Sequence, residues 1–284
     1  MLNYASQLKK IDHTLIDSLY DEVQNTEIHW FDSYSDYQSG GWQIAPLYNT
    51  TGEETYDVPE ESEAKPTSLI QRMPRMQVFL DSLGLDYMMA RLSRSKPASC
   101  LYEHIDYKGL EKHEKLRLHM PLCTHPQALM SFTDVNVYLK KGFLWKLDPR
   151  EGIHGVCNHG KEPRIHLLLD CYMNPTLRSL VDNEWLDQDT IKEAPDLTQE
   201  KTQSLMTQAK KMLLDGKTEE AEHFLLTTFY TFRHPKNSSS YDLILDLYEE
   251  NGSNQDRIDY WSDRLKEVYG EDHVQKRKKE NIYS

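Results

Sequence analysis

The stretch from residue 85 to 173 constrains this chain most. Short runs of alternating or continuous apolar residues are broken there by Pro97, Gly109, Pro121, Pro126, Gly142, Pro149, Gly152, Gly160 and Pro163. Segments this short, interrupted this often by helix-breaking residues, form a many-stranded β core rather than a bundle. The flanks read differently. Asp12 is a natural N-cap for a helix whose apolar positions Leu15, Ile16, Leu19, Tyr20 and Val23 recur at helical spacing. From Trp30 to Tyr48 aromatic residues and glycines suit short strands and turns, and Thr51 to Lys65 reads as an exposed acidic loop. Pro74 opens a second helix that Gly84 stops.

Beyond Asn174 and Pro175 the strand pattern ends, and from Thr198 the chain reads as paired helices joined at Asp215-Gly216 and Asn251-Gly252. No fixed period is sustained through three units, so this is an appendage and not a solenoid. The last dozen residues are charged, lack an apolar face and are predicted to be disordered. A length of 284 residues fits one catalytic domain (residues 1–175) with a helical C-terminal domain (residues 176–284).

Charge and composition exclude several function classes. A formal net charge of -13 repels a phosphate backbone, so nucleic acid is not expected as a partner. No apolar run approaches a membrane span, and the first ten residues lack the apolar stretch of a secretory leader, so a cytoplasmic protein is expected. Cys100, Cys123, Cys157 and Cys171 form no C-x-x-C pair and read as reduced, packed thiols.

The chemistry-bearing residues begin at His104 and Asp106. Two apart on a strand, they present an imidazole and a carboxylate to one side. His154 offers a third ligand, completing a two-histidine, one-carboxylate set that leaves metal positions open. His159 competes with it, since both precede Arg164, but Gly160 directly after His159 points to a turn there. Arg164 is a bidentate cation for the far carboxylate of a 2-oxo acid. In Leu116 to Leu122 the alternation puts Arg117 and His119 on one face and the apolar residues on the other. An inward arginine calls for a buried carboxylate, from a ligand or from an internal salt bridge. Trp145, Tyr102 and Asn158 are candidates to line the pocket, with core packing as the alternative for the aromatics. Arg91 or Arg94 is a candidate to meet a substrate carboxylate. His125 and His166 lie nearby without an assigned role.

At these residues the sequence resembles the aspartyl/asparaginyl β-hydroxylase family of 2-oxoglutarate oxygenases, and within it the bacterial free L-proline hydroxylases. The resemblance is carried by G-W-x-x-x-P-L-Y-N from Gly41 to Asn49, Ala90-Arg91, H-x-D at His104, R-L-H at Arg117, H-x-V-x-N at His154 and R-x-x-L-x-x-D at Arg164. It implies a mainly β double-stranded β-helix (jelly roll, cupin-like) with iron(II) on His104, Asp106 and His154. It further implies 2-oxoglutarate on Arg164 with His119, dioxygen as co-reactant, and a substrate carboxylate on Arg117. The implied reaction is hydroxylation of a free amino acid, proline or a relative, with release of succinate and carbon dioxide. No general base is assigned beyond the metal ligands. An aspartyl or asparaginyl residue of a peptide or carrier protein is the alternative substrate, and a non-catalytic metal-binding sensor the remote one. The expected partner is a small molecule, with no membrane and with a homodimer left open.

Overall fold

The computed structural model describes residues 5–150, 152–252 and 254–279. Its strands are β1 (Ala5–Lys10), β2 (Phe31–Asp32), β3 (Trp42–Asn49), β4 (Lys65–Pro66), β5 (Asp86–Ser95), β6 (Cys100–His104), β7 (Lys115–Cys123), β8 (Ala128–Phe132), β9 (Asn136–Val137), β10 (Phe143–Leu147), β11 (His154–Asn158), β12 (Arg164–Tyr172) and β13 (Ile191–Lys192). Its helices are α1 (His13–Asn25), α2 (Ser68–Gln71), α3 (Pro74–Ser82), α4 (Pro175–Val181), α5 (Gln199–Leu214), α6 (Thr218–Leu226), α7 (Thr228–Thr231), α8 (Ser240–Asn251), α9 (Gln255–Tyr269) and α10 (Glu271–Lys279).

The strands form two antiparallel sheets. The major sheet runs β1-β10-β7-β12-β5-β3-β2 with β4 beside β3, and the minor sheet runs β13-β9-β8-β11-β6. Alternation sorts the major sheet's side chains into two cores. Leu116, Leu118, Met120 and Leu122 of β7 and Ile165, Leu167 and Leu169 of β12 share one cluster with Ile16, Leu19 and Val23 of α1 and Met76, Phe79 and Leu80 of α3. Helices therefore cover that face. Asp12 caps α1 by accepting from the Thr14 and Leu15 amides, and Pro74 sits in the first turn of α3.

The opposite face carries the polar residues. Register places Arg91 against Leu168, Leu168 against His119, and Arg117 against Asp170, so these residues lie on one side of the major sheet, turned from its apolar layer. Met130, Phe132 and Val156 of the minor sheet join Trp42, Trp145 and Leu147 of the major sheet in a second apolar cluster. This cluster seals the space between the sheets beside the polar residues.

The helices α5 to α10 have their own core, including Leu205, Ala221, Leu225, Leu243, Leu247, Trp261 and Leu265. They meet the minor sheet's outer face, where Phe229 and Tyr230 of α7 pack on Cys100 and Cys157. Gly155 is needed there: a Cβ would lie 2.9 Å from the Leu101 carbonyl oxygen and 3.0 Å from the Tyr230 hydroxyl. Among the described residues no helix is long and apolar enough to cross a membrane.

Several expectations are corrected. The paired helices begin with α5 at Gln199, beside the expected Thr198, while the residues between α4 and α5 join the β core: Trp185 bridges to Gln7 and β13 extends the minor sheet through β9. Most of α10 falls in the segment expected to be disordered, and its His273 is 9% exposed and hydrogen-bonded to Asp242 at 2.9 Å; residues 280–284 lie outside the described residues. Cys100 and Cys157 are cross-strand partners with Cα atoms 4.1 Å apart, and they are joined in a disulfide. Only Cys123 and Cys171, among the described residues, are free thiols as expected.

Candidate active site

His104 and His154 face each other across the β6–β11 ladder, their ring centroids 4.3 Å apart. Asp106 follows just beyond β6. Its carboxylate oxygens lie 3.7 Å from His104 Nε2 and 3.6 Å from His154 Nε2. One ligand atom from each of the three lies within 4.8 Å of the others. Both imidazoles are oriented by backbone: Nδ1 of His104 donates to the Tyr102 carbonyl at 2.6 Å, and Nδ1 of His154 to the Gly152 carbonyl at 3.0 Å. A carbonyl can only accept, so each Nε2 keeps its lone pair for the site, as a metal ligand requires.

Electrostatics favours the same protonation states. Burial, reinforced by His154, pushes the His104 imidazole down to about 4. Burial alone would raise the Asp106 carboxyl, but Arg117, His104 and His154 outweigh it and hold that group well below its ordinary range. The result is a neutral imidazole and a carboxylate at neutral pH. Two imidazoles and one carboxylate in this proximity fit a divalent transition metal with positions left open.

A second polar group adjoins the triad. Arg164 is 1% exposed; one terminal nitrogen donates to His166 Nδ1 at 2.9 Å and the other, NH1, has no partner. His166 Nδ1 also lies 3.5 Å from His119 Nδ1, and Nε2 of both histidines is unpartnered. Burial, with Arg164 next, pushes both imidazoles well below their ordinary value, so they are neutral. A buried guanidinium whose neighbours are neutral imidazoles lacks a counter-charge. An unpaired guanidinium nitrogen on an uncompensated cation fits a ligand carboxylate.

Arg117 has different partners from those expected. It donates to Asp106, and its Nε donates to Asp170 at 2.7 Å. Asp170 is fully buried, accepts from the Tyr107 hydroxyl, and lies 3.8 Å from Arg91. An internal salt-bridge network thus takes the place of a ligand carboxylate at Arg117. Arg91 retains unpartnered Nε and NH1 atoms and stands 5.8 Å from the Tyr34 ring. Arg94 points the other way, donating to Gln43 at 3.1 Å from Nε and lying over Trp30.

The remaining candidates separate by face. His159 is near Cys157 and Tyr230, on the outer side of the minor sheet, away from the triad. Asn158 is corrected from a pocket residue to a turn staple: its amide donates to the Ser95 and Glu162 carbonyls and its carbonyl accepts from the Gly160 amide. Trp145 is fully buried in the apolar cluster with its indole N–H given to the Lys140 carbonyl at 3.0 Å, which makes it a core residue. Tyr102 bonds His223 on α6.

Residues without a sequence-based role complete the site. His166 links Arg164 to His119, and its spacing of two from Arg164 was the available signal. Asp170 organises two arginines. Tyr37 approaches His104 with centroids 6.3 Å apart, and the segment carrying it is held by α9: Arg264 covers the Tyr37 ring at 3.7 Å, and Tyr37 donates to Glu267 at 2.7 Å.

The chain is 27% identical over 146 residues to L-proline cis-3-hydroxylase 1 of Streptomyces sp, a match covering 49% of this chain and 50% of that protein. The chain therefore spans about half the length of the curated relative it matches. Solved structures with a likeness include a Pseudomonas putida prolyl-4-hydroxylase (TM-score 0.38, 15% identity, 60% of this chain and 91% of that one). Another is the viral collagen prolyl hydroxylase of Paramecium Bursaria Chlorella virus-1 (TM-score 0.34, 14% identity, 61% and 97%). The sequence pattern described as Aspartyl/Asparaginyl beta-hydroxylase matches residues 9–174. That match takes in the three clustered ligands and Arg164 and covers more than half of the sequence, so the chain belongs to the aspartyl/asparaginyl β-hydroxylase family.

Proposed function

We propose that this protein is an Fe(II)- and 2-oxoglutarate-dependent dioxygenase that hydroxylates a free amino acid, proline or a related L-amino acid, releasing succinate and carbon dioxide. The observation that carries the reading is the pairing of a His-Asp-His cluster with a buried Arg164 whose NH1 donor has no partner. His104, Asp106 and His154 would hold iron. Bound there, iron with dioxygen would supply the redox chemistry that couples decarboxylation of 2-oxoglutarate to hydroxylation of a C–H bond. The two facing antiparallel sheets support the finer reading of the fold as a double-stranded β-helix.

The protein's own groups bind, orient and exclude water. Arg164 would take the distal carboxylate of 2-oxoglutarate, with His119 and His166 as neutral walls. Charge supports a substrate that brings an acid group. Three buried guanidinia of the major sheet, Arg91, Arg117 and Arg164, lie near two carboxylates, Asp170 on the same sheet and Asp106 beyond β6. A divalent cation and a dianionic cosubstrate offset each other, which leaves one positive charge for a substrate carboxylate. Arg91, with two unpartnered nitrogens, is the group placed to meet it. The enclosed triad, its side chains at most 13% exposed, and the relation to L-proline cis-3-hydroxylase 1 both support a small substrate over a peptide.

The test is anaerobic reconstitution with iron(II) and 2-oxoglutarate, then aerobic succinate release across a panel of free amino acids, with His154→Ala as control. Stimulation by one amino acid, with a hydroxylated product and no turnover in the variant, is the expected result. Stimulation only by Asp- or Asn-containing peptides would move the substrate to the peptide class. Absence of any iron-dependent succinate release would overturn the reading.

A further inference from the structure

The helical C-terminal portion grips three consecutive residues immediately before His104. The Tyr230 hydroxyl donates to the Leu101 carbonyl at 2.7 Å, Tyr102 bonds His223 at 3.0 Å, and the Tyr241 hydroxyl donates to the Glu103 carbonyl at 2.6 Å. The Glu103 side chain is 1% exposed. It accepts from Ser240 at the start of α8 and, at 2.5 Å, from Tyr269 at the end of α9. No cation pairs with it among the described residues. A buried acid held by hydroxyls and the Ser240 backbone, with no cation beside it, is a costly arrangement for stability alone.

Its location gives that arrangement a purpose. His104 pairs with His154 and Leu101 with Val156, so two residues of β6, Tyr102 and Glu103, stand opposite the single residue Gly155. This is a β-bulge, and bulges re-aim neighbouring side chains. The carbonyl of the bulged Tyr102 is the acceptor that fixes His104 Nδ1 at 2.6 Å. Any rotation of the Tyr102–Glu103 backbone would turn that carbonyl and, with it, the imidazole.

We propose that Glu103 is a positioning residue for the metal centre: held by Ser240 and Tyr269, it locks the bulge whose Tyr102 carbonyl orients His104. The helical portion then acts on the site through the backbone, without contributing a ligand. The proposal rests on the reading of His104, Asp106 and His154 as a metal site.

The test uses the full chain and Co(II) alone, whose visible absorption reports ligand geometry without turnover. Affinity and spectrum are measured for wild type, His154→Ala, Glu103→Ala, Glu103→Gln and Tyr269→Phe. Tyr248→Phe is a matched control, because the Tyr248 hydroxyl donates to Glu222 inside the helical portion. Metal-free thermal unfolding is recorded for each. Loss of an outer partner costs roughly 10- to 100-fold in metal affinity, and Glu103→Ala is expected to fall in that range with an altered spectrum. Glu103→Gln, which still accepts a hydroxyl bond, should recover most of the affinity, and Tyr248→Phe should lose stability with Co(II) binding unchanged. If Glu103→Ala fails to fold, Tyr269→Phe carries the same comparison. Wild-type affinity and spectrum in Glu103→Ala or its substitute, whatever the loss of stability, would overturn the proposal. Co(II) binding by wild type that is indifferent to His154→Ala would instead overturn the metal reading beneath it.

Discussion

Arg164 lies 2.9 Å from Nδ1 of His166 while its other terminal nitrogen, buried, has no partner. This half-satisfied guanidinium is the clearest mark of an anion site. Replacing it with methionine keeps much of the side-chain volume and removes the charge. A hydrogen bond to a charged group contributes about 1.5–3 kcal/mol, so Arg164→Met should weaken 2-oxoglutarate binding roughly 10- to 150-fold. Anaerobic calorimetry of the metal-loaded protein measures this. An unchanged dissociation constant would place the carboxylate elsewhere.

A metal held by the three clustered ligands stabilises the folded chain by mass action. At a hundredfold excess over its dissociation constant the gain is about 2.7 kcal/mol. Thermal unfolding with and without Ni(II) should show it, and a chelator should reverse it. His154→Ala and Asp106→Asn should abolish the shift. Persistence of the full shift in both variants would mean that the ion binds outside the triad.

The segment bearing Tyr34 and Tyr37 is fastened to α9 chiefly by Arg264, which covers the Tyr37 ring and donates to the Asp36 carbonyl at 3.1 Å. Arg264→Ala removes a cation–π contact of about 0.5–1 kcal/mol together with that bond. Hydrogen exchange of residues 31–41 should quicken. Substrate KM should rise more than kcat falls, because the His104, Asp106 and His154 cluster is untouched. Exchange identical to wild type would show that the segment is held by other contacts.

Stability should depend on the protonation of His234. Burial pushes this imidazole down to about 4 from an ordinary 6.5. Between those values the unfolded chain holds a proton that the folded protein does not, so the contribution is complete above 6.5 and is lost as pH falls toward 4. Urea denaturation of wild type and His234→Asn at about pH 7.5 and about pH 5 tests this: the wild-type advantage should shrink by up to about 2 kcal/mol at the lower pH. An advantage independent of pH would refute it.

The β core and the ligands were legible because each depends on local pattern. Alternation in Leu116 to Leu122 sorts Arg117 and His119 from the apolar face, and Pro74 and Asp12 mark helix starts by backbone chemistry. What the pattern could not carry was partnership over long separations. β1 is polar in sequence yet pairs with β10, burying Ser6 and Gln7 completely, and the Gln7 amide is matched by Asp187 at 3.1 Å. Nothing near Gln7 announces that partner. The Cys100–Cys157 bond likewise depends on a register that only the folded β6–β11 ladder supplies. Arg117 calls for a carboxylate by its own chemistry, but the choice of Asp170 and Asp106 over a ligand is made by the tertiary fold. His166 was reachable by parity, whereas the role of Asn158 needed the turn that it closes.

Tyr269 reaches back across 166 residues to Glu103. At about 5–20 residues per second on the ribosome, roughly 10–30 s separate the synthesis of these two residues. Through that interval the nascent strand bearing His104 lacks its final fastening. On the proposed role of Glu103, His104 would reach its final aim only once the helical portion has been made, so the order of synthesis itself would favour metal loading after translation.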